Sequence, residues 1–390
     1  MKFLFVANTH PDPAQGASGC DLNTIAALRA LGHEVDAVWT GGWPRRIAHH
    51  NLHQLIELPR WFRRVVLEKC AAKRYDVVEV NQPHAWLAAK AFREARLPGV
   101  FVNRSHGWES RSWEAVEKFE RDTRPPAKRL AATILRRFLA RHNRLVTRYS
   151  DGIVVETDGD RDAVLSEGGC RNVLVLPPGI AGDFLAPLPP PDPARFRRVI
   201  HAASFSTHKA PEVVAAAMRR LARETEFELT WVAQESAHPA IRALLGAEAG
   251  RVRLSGWVPT DGLRDLLDRH GFFLQPSYFE GFSLAFVQAM ARGGIVLGSE
   301  IDCMLQTIRH GESGFLFAPG ASGPLADTII RLATDPTRCL AVSRAARAVA
   351  EGMTWQKAAL RFEEFCRMLA ASQSPQPNAF QTASSRADRS

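Results

Sequence analysis

The chain has 390 residues, with 50 Lys plus Arg against 41 Asp plus Glu and a formal net charge of +9. At roughly 100–200 residues per domain this length predicts two domains, and 46% hydrophobic with 23% charged residues excludes disordered and fibrous classes. No apolar run approaches the ~18 residues that a membrane span needs, so the chain is not expected to cross a bilayer. The basic balance suits an anionic partner, whether nucleic acid, acidic lipid or phosphorylated substrate, and charge does not choose among them.

The apolar start from Met1 stops at His10-Pro11-Asp12, which predicts a first buried strand rather than a signal peptide. Strands are expected at Lys2–Ala7, Glu34–Trp39, Val77–Val80, Val100–Asn103, Ile153–Glu156 and Val173–Leu176, with helices such as Cys20–Leu31 and His84–Ala95 between them. Continuous apolar strands alternating with helices predict a parallel sheet covered on both faces. A proline cluster over Ala186–Pro193 suits neither strand nor helix interior and reads as a hinge. The alternation then restarts, with strands at Arg198–Ala203, Phe227–Ala233, Val252–Trp257, Phe272–Gln275 and Ile295–Leu297. Helices fit at Pro211–Arg223, Asp261–Arg269, Phe286–Arg292 and Ala326–Ala333, and a last one at Trp355–Leu369 precedes a polar tail expected to be disordered from Ser372. Two α/β domains result, 1–185 and 197–354, joined by a linker at 186–196 and followed by a terminal helix at 355–371. Ligand is expected in the cleft between them, at the carboxyl ends of the strands. Cys20, Cys70, Cys170, Cys303, Cys339 and Cys366 lie far apart without a Cys-x-x-Cys pair, which predicts neither a disulfide framework nor a zinc site and fits a reducing cytoplasm.

The most informative stretch runs from Gln275 to Ala291. A buried strand ends at Pro276-Ser277, a loop brings Glu280 to its carboxyl end, and a helix is expected to begin near Ser283. The amides of Gly281, Phe282, Ser283 and Leu284 would then form a phosphate site at the helix start. A carboxylate beside such a site makes sense if it accepts hydrogen bonds from sugar hydroxyls. A solvated Glu at a helix start is the plainer account of Glu280 alone, but it leaves the surrounding pattern unexplained.

Glu280-Gly-Phe-Ser-Leu followed by Gln288-Ala-Met-Ala-Arg-Gly resembles the signature of the retaining glycosyltransferases of family 4, which have the GT-B fold of two facing Rossmann-like domains. Leu254–Val258, Gly311–Gly320 and Thr354-Trp355 resemble the segments around that signature in the same order. The resemblance covers about residues 1–370. It implies that Glu280 holds donor-sugar hydroxyls and that the amides of Phe282, Ser283 and Leu284 meet sugar and diphosphate. Gln288 falls where the family usually carries a second Glu that binds ribose, and Gln can still exchange hydrogen bonds with hydroxyls. Lys209, in Ala203-Ser-Phe-Ser-Thr-His-Lys, matches the lysine of the family's phosphate clamp. Ser204 takes the place of the clamp arginine and supplies no bidentate cation; His208 would compensate in part, though a surface imidazole beside Lys209 is the plainer account. His106 follows a strand end where the family places a histidine beside the reacting sugar. Gly16 and Gly19 resemble its glycine-rich loop, while the Gly-x-Gly-x-x-Gly of NAD enzymes is missing.

Lys128–Arg148 is a basic helical pattern with Arg137, Arg141, Arg144 and Arg148 flanking an apolar stripe of Ile134, Leu135, Phe138, Leu139 and Leu145. It suits either an anionic membrane surface or a packed helix with a solvated flank; Arg60-Trp-Phe-Arg-Arg64 reads as a second basic-aromatic patch. No nucleic-acid-binding module accompanies the charge. The expectation is a cytoplasmic, metal-independent, retaining glycosyltransferase. It would move sugar from a nucleotide-sugar donor to a glycan or lipid-linked acceptor in envelope polysaccharide or lipopolysaccharide synthesis, with peripheral membrane contact left open. The competing readings are a GT-B protein that binds glycan or nucleotide without catalysis, and an epimerase or phosphorylase of the same fold.

Overall fold

The computed structural model describes residues 1–12, 16–39, 46–49, 52–120, 126–190 and 192–373. In the first domain the elements run β1 (Lys2–Ala7), α1 (Gly16–Ala30), β2 (Glu34–Trp39), α2 (Leu58–Ala72), β3 (Val77–Asn81), α3 (Trp86–Glu94), β4 (Val100–Arg104), α4 (Glu109–Glu120), α5 (Pro126–Tyr149), β5 (Gly152–Val155), α6 (Asp158–Glu167) and β6 (Val173–Val175). After α7 (Gly182–Leu185), the second domain contributes β7 (Arg198–Ala202), α8 (Pro211–Glu224), β8 (Glu228–Val232), α9 (His238–Leu245), β9 (Val252–Ser255), α10 (Thr260–Arg269) and β10 (Phe272–Gln275). It continues with α11 (Leu284–Ala291), β11 (Ile295–Ser299), α12 (Asp302–Leu305), β12 (Phe315–Phe317), α13 (Ser322–Leu332) and α14 (Pro336–Glu351), and α15 (Trp355–Gln373) closes the chain.

Both domains carry a six-stranded parallel sheet, in the orders β2-β1-β3-β4-β5-β6 and β12-β11-β10-β7-β8-β9. Strand order reverses between β1 and β3 in the first sheet and between β7 and β10 in the second. Loops diverge at such points and leave a crevice beyond the carboxyl ends of the strands. Sequential β-α-β crossovers require helices on both faces, so each sheet is buried between two apolar clusters. The doubly wound, two-domain α/β architecture expected from the alternation is present.

The terminal helix α15 returns to the first domain. Ala358, Phe362, Phe365, Cys366 and Leu369 form a helical stripe packed on Phe3, Phe5, Val100 and Val154. Full burial of a side chain of this size contributes about 1.5–3 kcal/mol, so several together fasten the two domains. The outgoing chain lies beside the returning one: Ile180 pairs with Thr354, and a side chain at Gly179 would overlap the Trp355 backbone.

The structure changes three expectations. Ile180 and Phe184, grouped by sequence with the first domain, are buried in a core cluster of the second. The start of the proline segment is pinned to the second domain: Arg292 donates to the carbonyls of Phe184, Ala186 and Pro187, and Arg347 donates to those of Phe184, Leu185 and Ala186. Trp61 and Phe62 are buried on α2 because the helical period turns them inward while Arg60, Arg63 and Arg64 face out. The expected second basic-aromatic patch therefore does not exist. Of the tail called disordered from Ser372, Ser372 and Gln373 end α15, and the remainder lies outside the described residues.

Candidate functional site at the switch point of the second sheet

The loop after β7 and the loop after β10 leave the second sheet on either side of its switch point, and Lys209 and Glu280 meet there. Lys209 Nζ donates to both carboxylate oxygens of Glu280, at 2.7 and 2.5 Å. Glu280 Oε1 also accepts from Gln275 Nε2 at 2.8 Å and Ser277 Oγ at 2.7 Å. Burial pushes the Glu280 carboxyl up, but Lys209 and the Ser277 hydroxyl outweigh it and hold the group below its ordinary range. With Oε1 accepting three bonds and Oε2 one, Oε2 retains capacity for a hydroxyl; the lysine ammonium has three protons and likewise retains one.

Ser283 precedes the first turn of α11, whose leading amides have no intrahelical partner. The Ser283 amide donates toward the buried Cys303 sulfur, and its hydroxyl accepts from Gln275 Nε2 at 2.9 Å. Ser283 is thus engaged within the domain, with Phe282 and Leu284 on either side of it. Gln288 lies one turn further along and is half-buried. Ser204 Oγ sits 3.3 Å from Ser206 Oγ, which leaves the clamp position without a cation. His208 does not replace one: burial, and then the Lys209 charge, push its imidazole below the ordinary value and keep it neutral.

Across the cleft, His106 is held between two carboxylates. Its Nδ1 lies 2.9 Å from Glu156 and its Nε2 lies 3.1 Å from Asp21. Burial opposes the charge, but Asp21 first, with Cys20 and Glu156 adding to it, raises the imidazole well above its ordinary value. A protonated ring with both nitrogens engaged positions the backbone and does not act as a free base. Gly16 and Gly19 lie in the first turn of α1, and the next turn supplies Cys20 and Asp21. Cys20, His106 and Glu156 bring potential metal-ligand atoms within 4.8 Å of one another. In this structure His106 pairs with Asp21 and Glu156, and burial pushes the Cys20 thiol up to about 11.

The two halves touch at Gly281, whose Cα lies against the His106–Gly107 peptide; a Cβ there would overlap the His106 carbonyl oxygen. Arg111 of α4 bridges Asp160 of its own domain and Asp302 of the other. Gln306 Nε2 donates to the Glu156 carbonyl at 3.0 Å. The sequence reading missed Asp21, Glu156, Gln275 and Ser277. Their signal is positional, since Glu156 directly follows β5 and Gln275 ends β10, where buried polar residues at strand carboxyl ends mark a site.

Two facing Rossmann-like domains with a lysine–glutamate pair at a helix start define a GT-B type protein. A model of Glycosyltransferase Family 4 matches residues 20–184, and one of Glycosyl transferases group 1 matches residues 197–335. The chain belongs to this glycosyltransferase family. It is 25% identical over 235 residues to D-inositol 3-phosphate glycosyltransferase of Kribbella flavida, covering 54% of this chain and 55% of that protein. It is 30% identical over 129 residues to sucrose synthase of Denitrovibrio acetiphilus, covering 32% of this chain and 16% of that protein. The chain thus spans about half or less of these curated relatives. Among solved structures, sucrose-phosphate synthase from Thermosynechococcus elongatus superposes with a TM-score of 0.74 at 19% identity, over 95% of this chain and 100% of that one. HepE from Anabaena, solved with UDP-glucose, gives 0.67 at 19% identity, over 95% of this chain and 100% of that one.

Gly281→Ala tests the cleft contact. Overpacking costs about 1–3 kcal/mol where nothing yields, but here a whole domain can move. The variant is expected to show a larger radius of gyration in small-angle scattering with its helical content unchanged. An unchanged radius would mean that this contact does not set the closure.

Proposed function

We propose that this chain is a retaining, metal-independent glycosyltransferase. It transfers a sugar from a nucleotide-sugar donor to a hydroxyl of a glycan or lipid-linked acceptor in envelope polysaccharide or lipopolysaccharide synthesis. The observation that carries this reading is the Lys209–Glu280 pair at the start of α11, facing His106–Gly107 across the cleft. That HepE was solved with UDP-glucose supports a donor of the same kind.

In this mechanism the bond from the anomeric carbon to the diphosphate breaks as a bond to the acceptor oxygen forms on the same face. The hydroxyl proton ends on the departing phosphate. Lys209 and the amides of Phe282 and Leu284 place fixed positive potential where the diphosphate gains charge, the task a metal ion performs in other sites. Glu280 Oε2 takes a sugar hydroxyl. His106, fixed by Asp21 and Glu156, sets the backbone that closes on the sugar. The second reading, a protein that binds the donor without turning it over, is favoured by one observation: Ser204 and neutral His208 leave Lys209 as the clamp's cation.

Lys209→Ala is expected to lower turnover about 100- to 1,000-fold with an unchanged circular dichroism spectrum; near-normal nucleotide release would remove the lysine from the mechanism. Membrane contact belongs to the same proposal. Among the described residues no helix is long and apolar enough to cross a bilayer, but Ile134 and Phe138 of α5 are 49% and 53% exposed beside exposed Arg137 and Arg141. An apolar pair ringed by cations suits an anionic lipid surface. Co-sedimentation with vesicles rich in phosphatidylglycerol, absent with phosphatidylcholine and reduced in Phe138→Glu, is the expected result. Equal pelleting of Phe138→Glu and the wild type would contradict it.

A further inference from the structure

The first sheet has its own switch point, between β1 and β3, and a cavity of about 230 Å³ lies there. Asn8 just beyond β1 and Gln82 just beyond β3 line it, joined by Gln54, Glu109 and Trp113, while Leu135 and Leu139 of α5 form its apolar side. Glu109 is three residues past His106, which ties the cavity to the reacting cleft along the chain.

Two of its groups are buried without a partner. Gln82 Oε1 and Glu109 Oε2 have no hydrogen bond among the described residues, a costly condition unless a ligand or water satisfies it. Gln82 has φ 66° and ψ 159°, a conformation that side chains other than glycine rarely adopt and that concentrates at ligand sites. It is held by Asn103 Nδ2, which donates to the Gln82 carbonyl at 2.8 Å. Burial, with Asp160 and Glu167 nearby, pushes the Glu109 carboxyl up to about 8. At neutral pH it is mostly a carboxylic acid that both donates and accepts. Side-chain amides do the same.

Among the described residues lining the cavity there is no lysine or arginine, and its histidine, His84, is buried with Nδ1 3.2 Å from Nδ1 of His142. A phosphorylated polyol would bring its charge into that lining with no lysine or arginine of the described residues to meet it. A neutral sugar ring suits the lining better, because each hydroxyl both donates and accepts and its C–H face can lie on the Trp113 indole.

We propose that this cavity is the acceptor subsite and takes an uncharged glycosyl unit rather than a sugar or polyol phosphate, with Glu109, Gln82 and Trp113 selecting it. This rests on the glycosyl-transfer reading above. It differs from the phosphorylated substrate in the name of the Kribbella flavida relative.

The test is saturation-transfer NMR on the full chain with methyl glycosides of glucose, galactose, mannose and N-acetylglucosamine, set against glucose 6-phosphate and an inositol monophosphate. At least one neutral glycoside is expected to bind tenfold or more tighter than either phosphate. Trp113→Ala and Glu109→Leu should each weaken it tenfold or more while the thermal shift given by UDP-glucose or another donor is unchanged. Equal or tighter binding of a phosphate, or glycoside binding unaffected by both variants, would overturn the proposal. Donor stabilisation and slow donor hydrolysis without glycoside binding would overturn it too, leaving the transferase reading intact. Glycoside binding lost in both variants, with no donor shift in the wild type, would instead contradict the transferase reading and keep the cavity as a sugar site.

Discussion

Gly281 and the His106–Gly107 peptide meet backbone to backbone, and the arrangement of the cleft depends on that approach. A side chain at Gly281 would occupy the space of the His106 carbonyl oxygen, so only glycine lets the signature loop of the second domain close on the first. His106 is itself immobilised by Asp21 and Glu156, and Arg111 fastens α4 to Asp302 on the far side. Removing Asp21 or Glu156 would leave the buried His106 short of a partner, a loss of about 3–5 kcal/mol, whereas the Arg111–Asp302 pair is partly exposed and contributes less. The contact is thus held on both sides, and the chain passes between the domains at two adjacent places, Gly179–Ile180 and Thr354-Trp355.

Charge at the site is arranged in layers. Glu280 is buried yet ionised because Lys209 sits on it, and Lys209 is held in place by the same pair. Neither group is used up: each has one hydrogen-bonding position left to face the cleft. The start of α11 adds positive potential of the sign that Lys209 already supplies, so anion binding there needs few side chains. This explains how a clamp with Ser204 and neutral His208 can still present a coherent electrostatic field.

Eleven of the twelve described strands, the alternation that makes two parallel sheets and the loop carrying Glu280 were legible in the sequence, because each is written locally; β12 and Lys209 were reached only through the family resemblance, and neither the strand orders nor the Lys209–Glu280 contact was expected. Apolar strands of four to six residues, glycine after a strand, and a small-residue helix start are all short-range patterns. The partners of His106 were not legible, since Asp21 is 85 residues away and Glu156 is 50, and nothing in the chain links them before the strands align. His208 beside Lys209 looked like a spare cation, but its burial, which the sequence does not display, keeps it neutral. Trp61 and Phe62 looked like a surface patch because adjacent arginines dominate the composition of that stretch, whereas the helical period decides which way each residue turns. The proline cluster suggested a hinge; Arg292 and Arg347, about a hundred or more residues downstream, fix its first residues to the second domain.

The central claim is that Lys209, Glu280 and the start of α11 form a donor site that works without a metal ion. The most direct measurement is a panel of nucleotide sugars on the purified chain, following thermal stabilisation and nucleotide release with and without EDTA. The account predicts that one donor stabilises the protein and is turned over equally in both conditions. Stabilisation by no donor, or release that stops in EDTA and returns with a divalent cation, would contradict it.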